Sequence, residues 1–489
     1  MSELLDKARR YEAENAGRVR DTQPLFHMTA AVGWMNDPNG FSWYKGQYHL
    51  FYQYNPYDNV WGPMHWGHCV SDDLIRWERL PAIMAPDEEY DDFGVFSGSA
   101  IVEGDRHILM YTSVHTVMKD GKPAQLQLQS VAEGDGENYV KWDCNPVIRP
   151  EDLPEGCSTE DFRDPKLWKD REEYRVVLAN RGEDGSGQIL LYTSPDLRHW
   201  TLLSRLARSE GRLGGMWECP DFFPLDGKHV LITSLMDLKP TGREFRGGSA
   251  PACFIGSFDR ETGAFDYSES DVRAVDYGFD FYAPQSMETP DGRRVMTAWM
   301  YSWDSSLLVP GAEWAGQMTV PRELFLKDGR LCQRPVRELE NYRGEKASAE
   351  AELTREFREL PGIRGRIADL TVTLEDADRS DYCLRIAADG TGECFTEFRY
   401  SAPERTLTLD RRAMLSPADV NGIRVIDVEP AGGKLTLRFI LDKYSAELFI
   451  GEGEKAASLM ILTDPAADGI LFAGSEGARV SAEIYGLSL

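Results

Sequence analysis

The 489-residue chain has no apolar run of membrane-spanning length and comparatively little positive charge. A helix needs about 20 mostly apolar residues to cross a bilayer, so we expect no membrane partner. The 54 Lys and Arg residues face 81 Asp and Glu residues, which gives a net charge of −27. Because nucleic-acid binding requires a basic surface, the composition also argues against a nucleic-acid partner.

Closely spaced cysteine pairs are missing as well. The eight cysteines form no C-x-x-C pair and no metal-ligand spacing, which favours reduced thiols over a disulfide framework. The N-terminus, MSELLDKARRYEAENAGRVRD, is dense in charge and lacks the apolar core of a signal peptide. Its Leu4, Leu5, Ala8 and Tyr11 fall near helical spacing. We therefore expect a helical extension over residues 1–23 and a cytoplasmic location.

The next 300 residues contain a repeated hairpin pattern and no long helical pattern. An apolar strand, a turn and a second apolar strand recur, beginning at Asp37, Ser97, Asp164, Glu218 and Tyr282. Self-similarity with a period of roughly 60 residues, enough for about four short strands, is typical of a β-propeller. The alternative is an irregular all-β domain with ordinary hairpins. We predict a five-bladed propeller over residues 24–340.

The C-terminal third has a different texture. Segments such as IADLTVTLED and KLTLRFILDKYSAELFIG alternate apolar and polar residues between turns, as in an antiparallel sandwich with one buried face. The stretch RGEKASAEAE before them is polar and rich in small residues, which suits a connector. The sequence thus predicts an all-β protein with a linker over 341–352 and a β-sandwich over 353–489.

Three of the five repeats begin with an acid: Asp37, Asp164 and Glu218. The first strand of each propeller blade lines the central channel, so equivalent ends of these strands meet at one mouth. A single Asp-Pro or Asn-Gly stretch is usually a surface turn, but three acids in register are expected to converge. Converging carboxylates repel one another, which is costly unless the protein uses them.

Two chemistries use such a cluster: metal binding and acid–base work on a glycosidic bond. No histidine joins the acids at ligand-like spacing, and His65 and His68 lack a clear third ligand, so we predict no metal. A retaining glycosidase needs one ionised carboxylate as nucleophile and one protonated carboxyl as acid. Aromatic residues near the strand ends, including Trp34 and Trp66, suit stacking on sugar rings, although blade packing is the plainer explanation for each.

The neighbours of each acid suggest its role. Glu218 lies in the apolar stretch GGMWECPDFF, which disfavours an ionised carboxylate and suits a general acid. Asp37 follows Asn36 in what reads as a polar turn, where backbone N–H donors would favour the charged nucleophile. Asp164 follows Arg163, whose cation would keep it ionised for binding hydroxyl groups and stabilising positive charge.

Several segments together resemble a known family. In chain order WMNDPNG, FYQYNP, WGPMHWGH, FSGSA, FRDPK, ECPDFF, YAPQ and WAGQMTVPREL resemble the motifs of the glycoside hydrolase family 32 β-fructosidases, which include invertases, sucrose-6-phosphate hydrolases, inulinases and levanases. The likeness spans roughly residues 24–489 and includes the C-terminal LRFILDKYSAELFIGEG. The segment YSWDSSLLVPGAEWAGQ matches no single subfamily, which leaves the leaving group of the substrate open.

The resemblance implies a propeller–sandwich fold, no cofactor and no metal. It implies Asp37 as nucleophile, Glu218 as acid/base and Asp164 as transition-state stabiliser. It further implies that the terminal fructose is contacted by Asn36, Gln53, Trp61, Phe96, Ser97 and Arg163, and less firmly by Tyr282 and Trp299.

We therefore expect a retaining, exo-acting β-fructosidase that removes terminal fructose from sucrose and short fructo-oligosaccharides. Sucrose 6-phosphate is an alternative substrate, and a fructosyltransferase would differ only in the acceptor of the fructosyl group. An arabinanase-like glycosidase is disfavoured by WMNDPNG and by the Glu-Cys pair. A sugar-binding propeller without activity would be expected to have lost one of the three acids. Whether the chain forms a homo-oligomer is left open by the sequence.

Overall fold

The computed structural model describes residues 2–209, 211–414 and 422–489. Helix α1 (Glu3–Val19) begins with Ser2 as its N-cap, whose Oγ accepts a hydrogen bond from the Leu5 amide. Its buried stripe includes Leu5 and Ala8, as expected, whereas Leu4 faces outward. No helix in these three ranges is long and apolar enough to cross a membrane.

The five predicted blades are present as five antiparallel sheets around one axis. The first blade consists of β1 (Gly33–Tyr44), β2 (Gln47–Asn55), β3 (His65–Ser71) and β4 (Glu78–Met84), and the second of β5 (Gly94–Glu103), β6 (Arg106–Lys119), β7 (Lys122–Gly134) and β8 (Tyr139–Lys141). The third consists of β9 (Cys157–Asp170), β10 (Glu173–Gly182), β11 (Gly187–Ser194) and β12 (Thr201–Arg208), and the fourth of β13 (Met216–Leu225), β14 (Lys228–Leu238), β15 (Gly248–Phe258), β16 (Phe265–Tyr267) and β17 (Arg273–Ala274). The fifth consists of β18 (Tyr282–Glu288), β19 (Arg294–Trp299), β21 (Arg322–Lys327) and β22 (Arg330–Pro335); a short strand, β20 (Trp314–Ala315), falls between β19 and β21 in the chain.

The ring of blades is closed by a short strand. β20 lies between two strands of the last blade in sequence but pairs in parallel with β1 of the first blade, Gly33 opposite Trp314. Short 3₁₀ helices cover Arg20–Thr22, Glu89–Asp91, Pro150–Asp152, Glu269–Asp271 and Arg337–Tyr342. The first strand of each blade therefore sits at the centre, where β1, β5, β9, β13 and β18 form the inner wall.

The sandwich consists of two six-stranded sheets, in the orders β23-β34-β25-β30-β31-β32 and β24-β33-β26-β27-β28-β29. Large apolar side chains such as Leu370, Phe398 and Phe439 fill the space between the sheets. The strands are β23 (Arg343–Glu352), β24 (Arg358–Glu359), β25 (Ala368–Leu374), β26 (Tyr382–Ala388), β27 (Thr396–Ser401), β28 (Thr406–Asp410), β29 (Ile423–Asp427), β30 (Leu435–Asp442), β31 (Ser445–Ile450), β32 (Lys455–Met460), β33 (Gly469–Gly474) and β34 (Arg479–Leu487). The predicted fold class, a five-bladed propeller followed by a β-sandwich, is confirmed.

The predicted linker over 341–352 is wrong. Most of this segment is β23, an edge strand that pairs with β34 over its whole length. Its alternate residues Ala347, Ala349 and Ala351 pack against the sandwich core. A small-residue stretch with period-two alternation is compatible with a connector, but here the free edge of β34 offered it a partner.

A buried group of charged side chains joins the sandwich to the propeller. The His27 ring lies between two carboxylates. Its Nδ1 is 2.9 Å from Asp442 Oδ2, and its Nε2 is 2.9 Å from Glu447 Oε1. Arg322 donates from Nε to Glu447 Oε2 at 2.9 Å and from Nη1 to Asp276 Oδ2 at 3.0 Å. We call these five residues the interface network.

Candidate active site

A cavity of about 330 Å³ opens at one end of the propeller axis. Nine of the eleven residues predicted from the sequence line it: Asn36, Asp37, Gln53, Trp61, Phe96, Ser97, Arg163, Asp164 and Glu218. They come from the first three blades and from β13 of the fourth, so residues as far apart in the chain as Asn36 and Glu218 share one pocket.

The inner strands carry these residues at β-bulges. Every inner strand has a shift in pairing register near the site, at Met35/Pro38, Val95/Gly98, Arg163/Lys166, Glu218/Asp221 and Tyr282/Gln285. Four of the five shifts contain a proline, which has no N–H to lose to the ladder and is tolerated where the ladder is broken. A bulge leaves a residue unpaired and re-aims its side chain, so each blade can turn a polar side chain into the channel.

Asp37 lies inside β1 and not in the polar turn that its neighbours in the sequence suggested. Its Oδ2 accepts a hydrogen bond from Ser97 Oγ at 2.6 Å and lies 3.4 Å from Cys219 Sγ. Its Oδ1 is buried and has no hydrogen-bond partner among the described residues. Burial raises the pKa of Asp37, and Glu218 adds to the rise, while the Ser97 hydroxyl opposes it. The expected backbone N–H donors are replaced by side chains from other blades.

Glu218 is held at both carboxyl oxygens. Arg163 donates from Nε at 3.0 Å and from Nη2 at 2.9 Å to Oε1, and the Tyr282 hydroxyl donates to Oε2 at 2.6 Å. The two N–H groups of Arg163 meet at the same oxygen and hold Oε1 with charge-assisted hydrogen bonds. Both oxygens of Glu218 therefore face donors, two N–H groups at Oε1 and one O–H group at Oε2.

Arg163 was expected to keep its neighbour Asp164 ionised, but its N–H groups point elsewhere. Besides Glu218, it donates from Nη1 to Asp161 at 2.8 Å and to Gln127 at 3.2 Å. Asp164 instead accepts at Oδ2 from the Cys219 amide at 2.9 Å. Burial raises the pKa of Asp164 to about 7, against the opposing charge of Arg163.

Cys219 separates the two aspartates. Its thiol Sγ lies 3.4 Å from Asp37 Oδ2 and 3.6 Å from Asp164 Oδ2. Burial raises the pKa of the Cys219 thiol well above its usual range, and the two aspartates raise it further. The thiol therefore stays protonated and serves as a weak donor between two carboxylates.

The two remaining predicted residues lie outside the cavity lining. Tyr282 is buried beneath Glu218, which it contacts through its hydroxyl, so its place is behind the acid. Trp299 is fully buried against Trp34, with ring centroids 5.6 Å apart. Its indole Nε1 has no hydrogen-bond partner among the residues described. His65 and His68, considered as metal ligands, do not line the cavity either, and both bond to nearby protein groups.

Residues that the sequence did not single out complete the cavity: Gln125, Gln127, Glu160, Asp161 and Trp303. The glutamines come from the long hairpin of β6 and β7, where alternate residues of β7 face the axis. Trp303 belongs to the segment 301–317 that matched no subfamily, and its ring stacks on Trp34 at 6.3 Å. Alternation along β7 could have indicated the glutamines, but no local signal marks Trp303.

Exposed aromatic rings form the rim. Trp61 and Trp303 are each 40% exposed although both are large apolar side chains. Trp61 meets Phe96 edge to face, with 6.0 Å between ring centroids. Flat apolar faces beside a set of polar groups fit the two sides of a sugar ring, whose C–H bonds stack while its hydroxyls hydrogen-bond.

Two family models match the chain, one after the other. The model described as "Glycosyl hydrolases family 32 N-terminal domain" matches residues 27–335, and "Glycosyl hydrolases family 32 C terminal" matches residues 338–486.

Relatives resemble the chain over nearly all of its length. An Escherichia coli raffinose invertase is 36% identical over 94% of this chain and 92% of its own. An Escherichia coli sucrose-6-phosphate hydrolase is 34% identical, covering 97% of this chain and 98% of its own. The structure of a Bombyx mori GH32 beta-fructofuranosidase variant in complex with sucrose has a TM-score of 0.86 at 33% identity, covering 99% of this chain and 98% of that one.

Proposed function

The chain belongs to glycoside hydrolase family 32 and is a glycoside hydrolase; from that premise we propose that it is a retaining, exo-acting β-fructosidase. The observation that carries the proposal is the convergence of three carboxyl groups in one buried pocket. One of their oxygens, Asp37 Oδ1, has no partner among the described residues and is free to meet a substrate.

Glu218 is the general acid in this proposal. Arg163 holds Oε1, so the proton is carried on Oε2 and passes to the glycosidic oxygen as the bond breaks. The hydroxyl of Tyr282 keeps Oε2 in place and can donate once the carboxylate is formed. Arg163 and Tyr282 are thus positioning residues for the acid, and the same oxygen later takes a proton from water.

Asp37 is the nucleophile that attacks the anomeric carbon of fructose. The Ser97 hydroxyl holds Oδ2, which leaves Oδ1 as the attacking oxygen. Asp164 is the transition-state stabiliser, since a buried carboxylate beside the ring favours the positive charge that develops there. Water then hydrolyses the fructosyl-enzyme, which restores Asp37 and releases fructose.

The pocket chemistry favours an unphosphorylated leaving group. Arg163 is the one cation among the described residues that line the cavity, and its N–H groups bond to Glu218, Asp161 and Gln127. Five carboxyl groups surround it, those of Asp37, Glu160, Asp161, Asp164 and Glu218. Because a phosphate dianion would enter this negative field without an available cation, sucrose and short fructo-oligosaccharides are the proposed substrates over sucrose 6-phosphate.

The direct test is fructose release from sucrose, sucrose 6-phosphate, kestose, inulin and levan in parallel. We expect sucrose or kestose to give the highest kcat/KM and sucrose 6-phosphate a value at least tenfold lower. A higher kcat/KM for sucrose 6-phosphate than for sucrose would refute the assignment of the leaving group. Accumulating longer oligosaccharides at high sucrose would identify a fructosyltransferase instead.

A fluoride substrate separates the roles of the two carboxyl groups. Fructosyl fluoride needs no protonation of its leaving group. Glu218→Gln is therefore expected to lose about 10²–10⁴-fold of kcat on sucrose but much less on the fluoride. Asp37→Asn should lose activity on both substrates. Equal losses for Glu218→Gln on the two substrates would remove it from the acid role.

A further inference from the structure

A second cavity, of about 610 Å³, lies at the opposite end of the propeller axis. All five inner strands contribute to it, and each does so later in its sequence than the residues it gives to the active site. The lining stretches are 41–43, 100–102, 166–170, 222–224 and 286–290. We call this cavity the far mouth.

The charge of the far mouth is opposite to that of the active site. Four cationic side chains and two carboxylates line it among the described residues: Lys166, Lys169, Arg260 and Arg294 against Asp170 and Glu288. Arg260 pairs with Asp170, and carboxylates just outside the lining pair with the two lysines, Glu103 with Lys169 and Asp221 with Lys166. A locally positive cavity is unusual in a chain with a net charge of −27. The negative charge on the rest of the surface repels anions, whereas the cations of this cavity attract them.

Arg294 is the least satisfied of these cations. Its side chain is 12% exposed, and its guanidinium lies over the Phe223 ring, 4.6 Å from the centroid. The nearest carboxylate, on the exposed side chain of Glu288, is 3.9 Å away. No described residue forms a recorded hydrogen bond with its guanidinium. Burial lowers the pKa of Arg294, which reflects the cost of keeping this cation out of water.

Lys166 supplies a second buried cation beside it. Its Nζ donates to the Ser286 carbonyl at 2.6 Å and lies 3.0 Å from Asp221 Oδ1. Burial lowers the pKa of Lys166, and the positive charge of Arg294 lowers it further. One buried carboxylate, Asp221, therefore serves two cations, and an added anion would balance the pair.

The walls of the far mouth are aromatic. The rings of Phe41, Trp168, Phe222, Phe223 and Phe258 line the cavity. Its volume falls in the range of about 300–1,000 Å³ typical of small-molecule sites and exceeds what a bare inorganic anion fills. The cations are complementary to an anionic group, and the aromatic rings are complementary to an organic group attached to that anion.

We propose that the far mouth binds a small organic phosphate, whose phosphate group is held by Arg294 and Lys166 and whose ring or chain packs against the aromatic walls. The arginine fork matches phosphate oxygens in pairs. Since Lys166 and Arg294 share the buried carboxylate of Asp221, a dianion suits the pair better than a single added carboxylate does. This site does not depend on the proposed reaction.

Phenyl phosphate is the probe, because it carries a phosphate and an aromatic ring but no fructosyl group. Calorimetric titration of the full chain at low ionic strength is expected to give saturable one-site binding. Phenol and inorganic phosphate should each bind at least tenfold more weakly, since each lacks one of the two parts. Absence of phenyl phosphate binding, or equal binding of either fragment, would overturn the proposal.

Two substitutions locate the binding, with a matched control. Arg294→Gln should weaken phenyl phosphate binding at least tenfold, because it removes the guanidinium that is proposed to hold the phosphate. Val102→Glu places a carboxylate on an exposed lining position and should weaken binding several-fold without touching the core. Val140→Glu adds the same charge on β8, at an exposed position outside the cavity, and should change nothing.

Using two lining variants keeps the test decisive if one of them fails to fold. Circular dichroism spectra show whether each variant is folded. If Arg294→Gln does not fold, the affinity of Val102→Glu for phenyl phosphate is the test. Unchanged affinity in Val102→Glu, or an equal loss in Val140→Glu, would show that phenyl phosphate binds elsewhere on the protein and would overturn the proposal.

Discussion

The active site and the interface network are both buried groups of acids, yet their electrostatics are opposite. At the active site, burial raises the pKa of Asp37 and of Asp164, and the available donors do not offset it. At the interface, burial acts in the same direction, but hydrogen bonds and cations bring the pKa of Asp442 and of Glu447 below the usual values. Burial alone therefore does not decide the pKa of a carboxyl group; the hydrogen-bond donors and cations that face it decide whether burial is offset.

The donor sets explain the contrast. Asp442 accepts from the backbone amides of Leu25, Phe26 and His27 and from the His27 ring. Asp37 accepts from one hydroxyl and one thiol, and one of its oxygens has no partner among the described residues. An unsatisfied acceptor costs stability in the free enzyme and becomes useful when a substrate arrives, whereas a satisfied one holds domains together.

The same substitution at the two sites should therefore have opposite effects. Asp37→Asn is expected to lower kcat on sucrose about 10⁴-fold or more and to leave the free energy of unfolding unchanged or higher, because it relieves carboxylate repulsion. Asp442→Asn places an N–H₂ group against backbone donors and should lower the free energy of unfolding by about 3–5 kcal/mol. Denaturant titration and initial rates measure both. A destabilised Asp37→Asn with an unaffected Asp442→Asn would reverse the comparison.

The interface network should also respond to alkaline pH. Burial alone would lower the pKa of His27, but Asp442 and Glu447 raise it to about 9. A raised pKa contributes stability that is complete below the unfolded value near 6.5 and is lost as the pH rises through 9. The loss should be on the order of 3 kcal/mol in the free energy of unfolding between pH 6 and pH 10. The lowered pKa values of Asp442 and Glu447 give stability that is lost only in acid.

His27→Gln is the control for that prediction. It should be less stable than the wild type at pH 6 and should show a flatter decline between pH 6 and pH 10. Urea unfolding across this range provides the measurement. A decline as steep as that of the wild type would assign the alkaline loss to another group.

The smallest expected effect is a shift in the pH profile of activity when the hydrogen bond from Ser97 to Asp37 is removed. Ser97→Ala removes the hydroxyl that opposes the raised pKa of Asp37. A nucleophile that must be ionised then requires a higher pH, so the acid limb of the kcat/KM profile should move up by about 0.5–1 pH unit. Thr112→Ala, whose hydroxyl accepts from the Asp164 amide, is a comparison that leaves Asp37 untouched. An acid limb that moves down, or that moves equally in both variants, would contradict the role of Ser97.

Much of the fold could be predicted because its signals are local. The hairpins at Asp37, Ser97 and Asp164 share the pattern of two apolar strands joined by a turn. Each blade needs this pattern to bury its own faces, and it is visible in residues that are close together in the chain. The stretch 343–352 was misjudged because its pairing with β34 depends on a partner more than 100 residues away. Trp303 could not be predicted for a similar reason: it lines the pocket from a segment without a regular sequence pattern, and its contact with Trp34 depends on the fold.

By itself, the sequence determined that three acids recur at corresponding places in a five-bladed ring, because periodicity and turn chemistry depend on neighbouring residues. Only the tertiary structure decided which groups meet: Arg163 with Glu218 rather than Asp164, Tyr282 behind the acid, and His27 between two sandwich carboxylates. Hydrogen bonds and charges act over a few ångströms, and the residues that come within that distance here lie 55 to 420 positions apart in the chain.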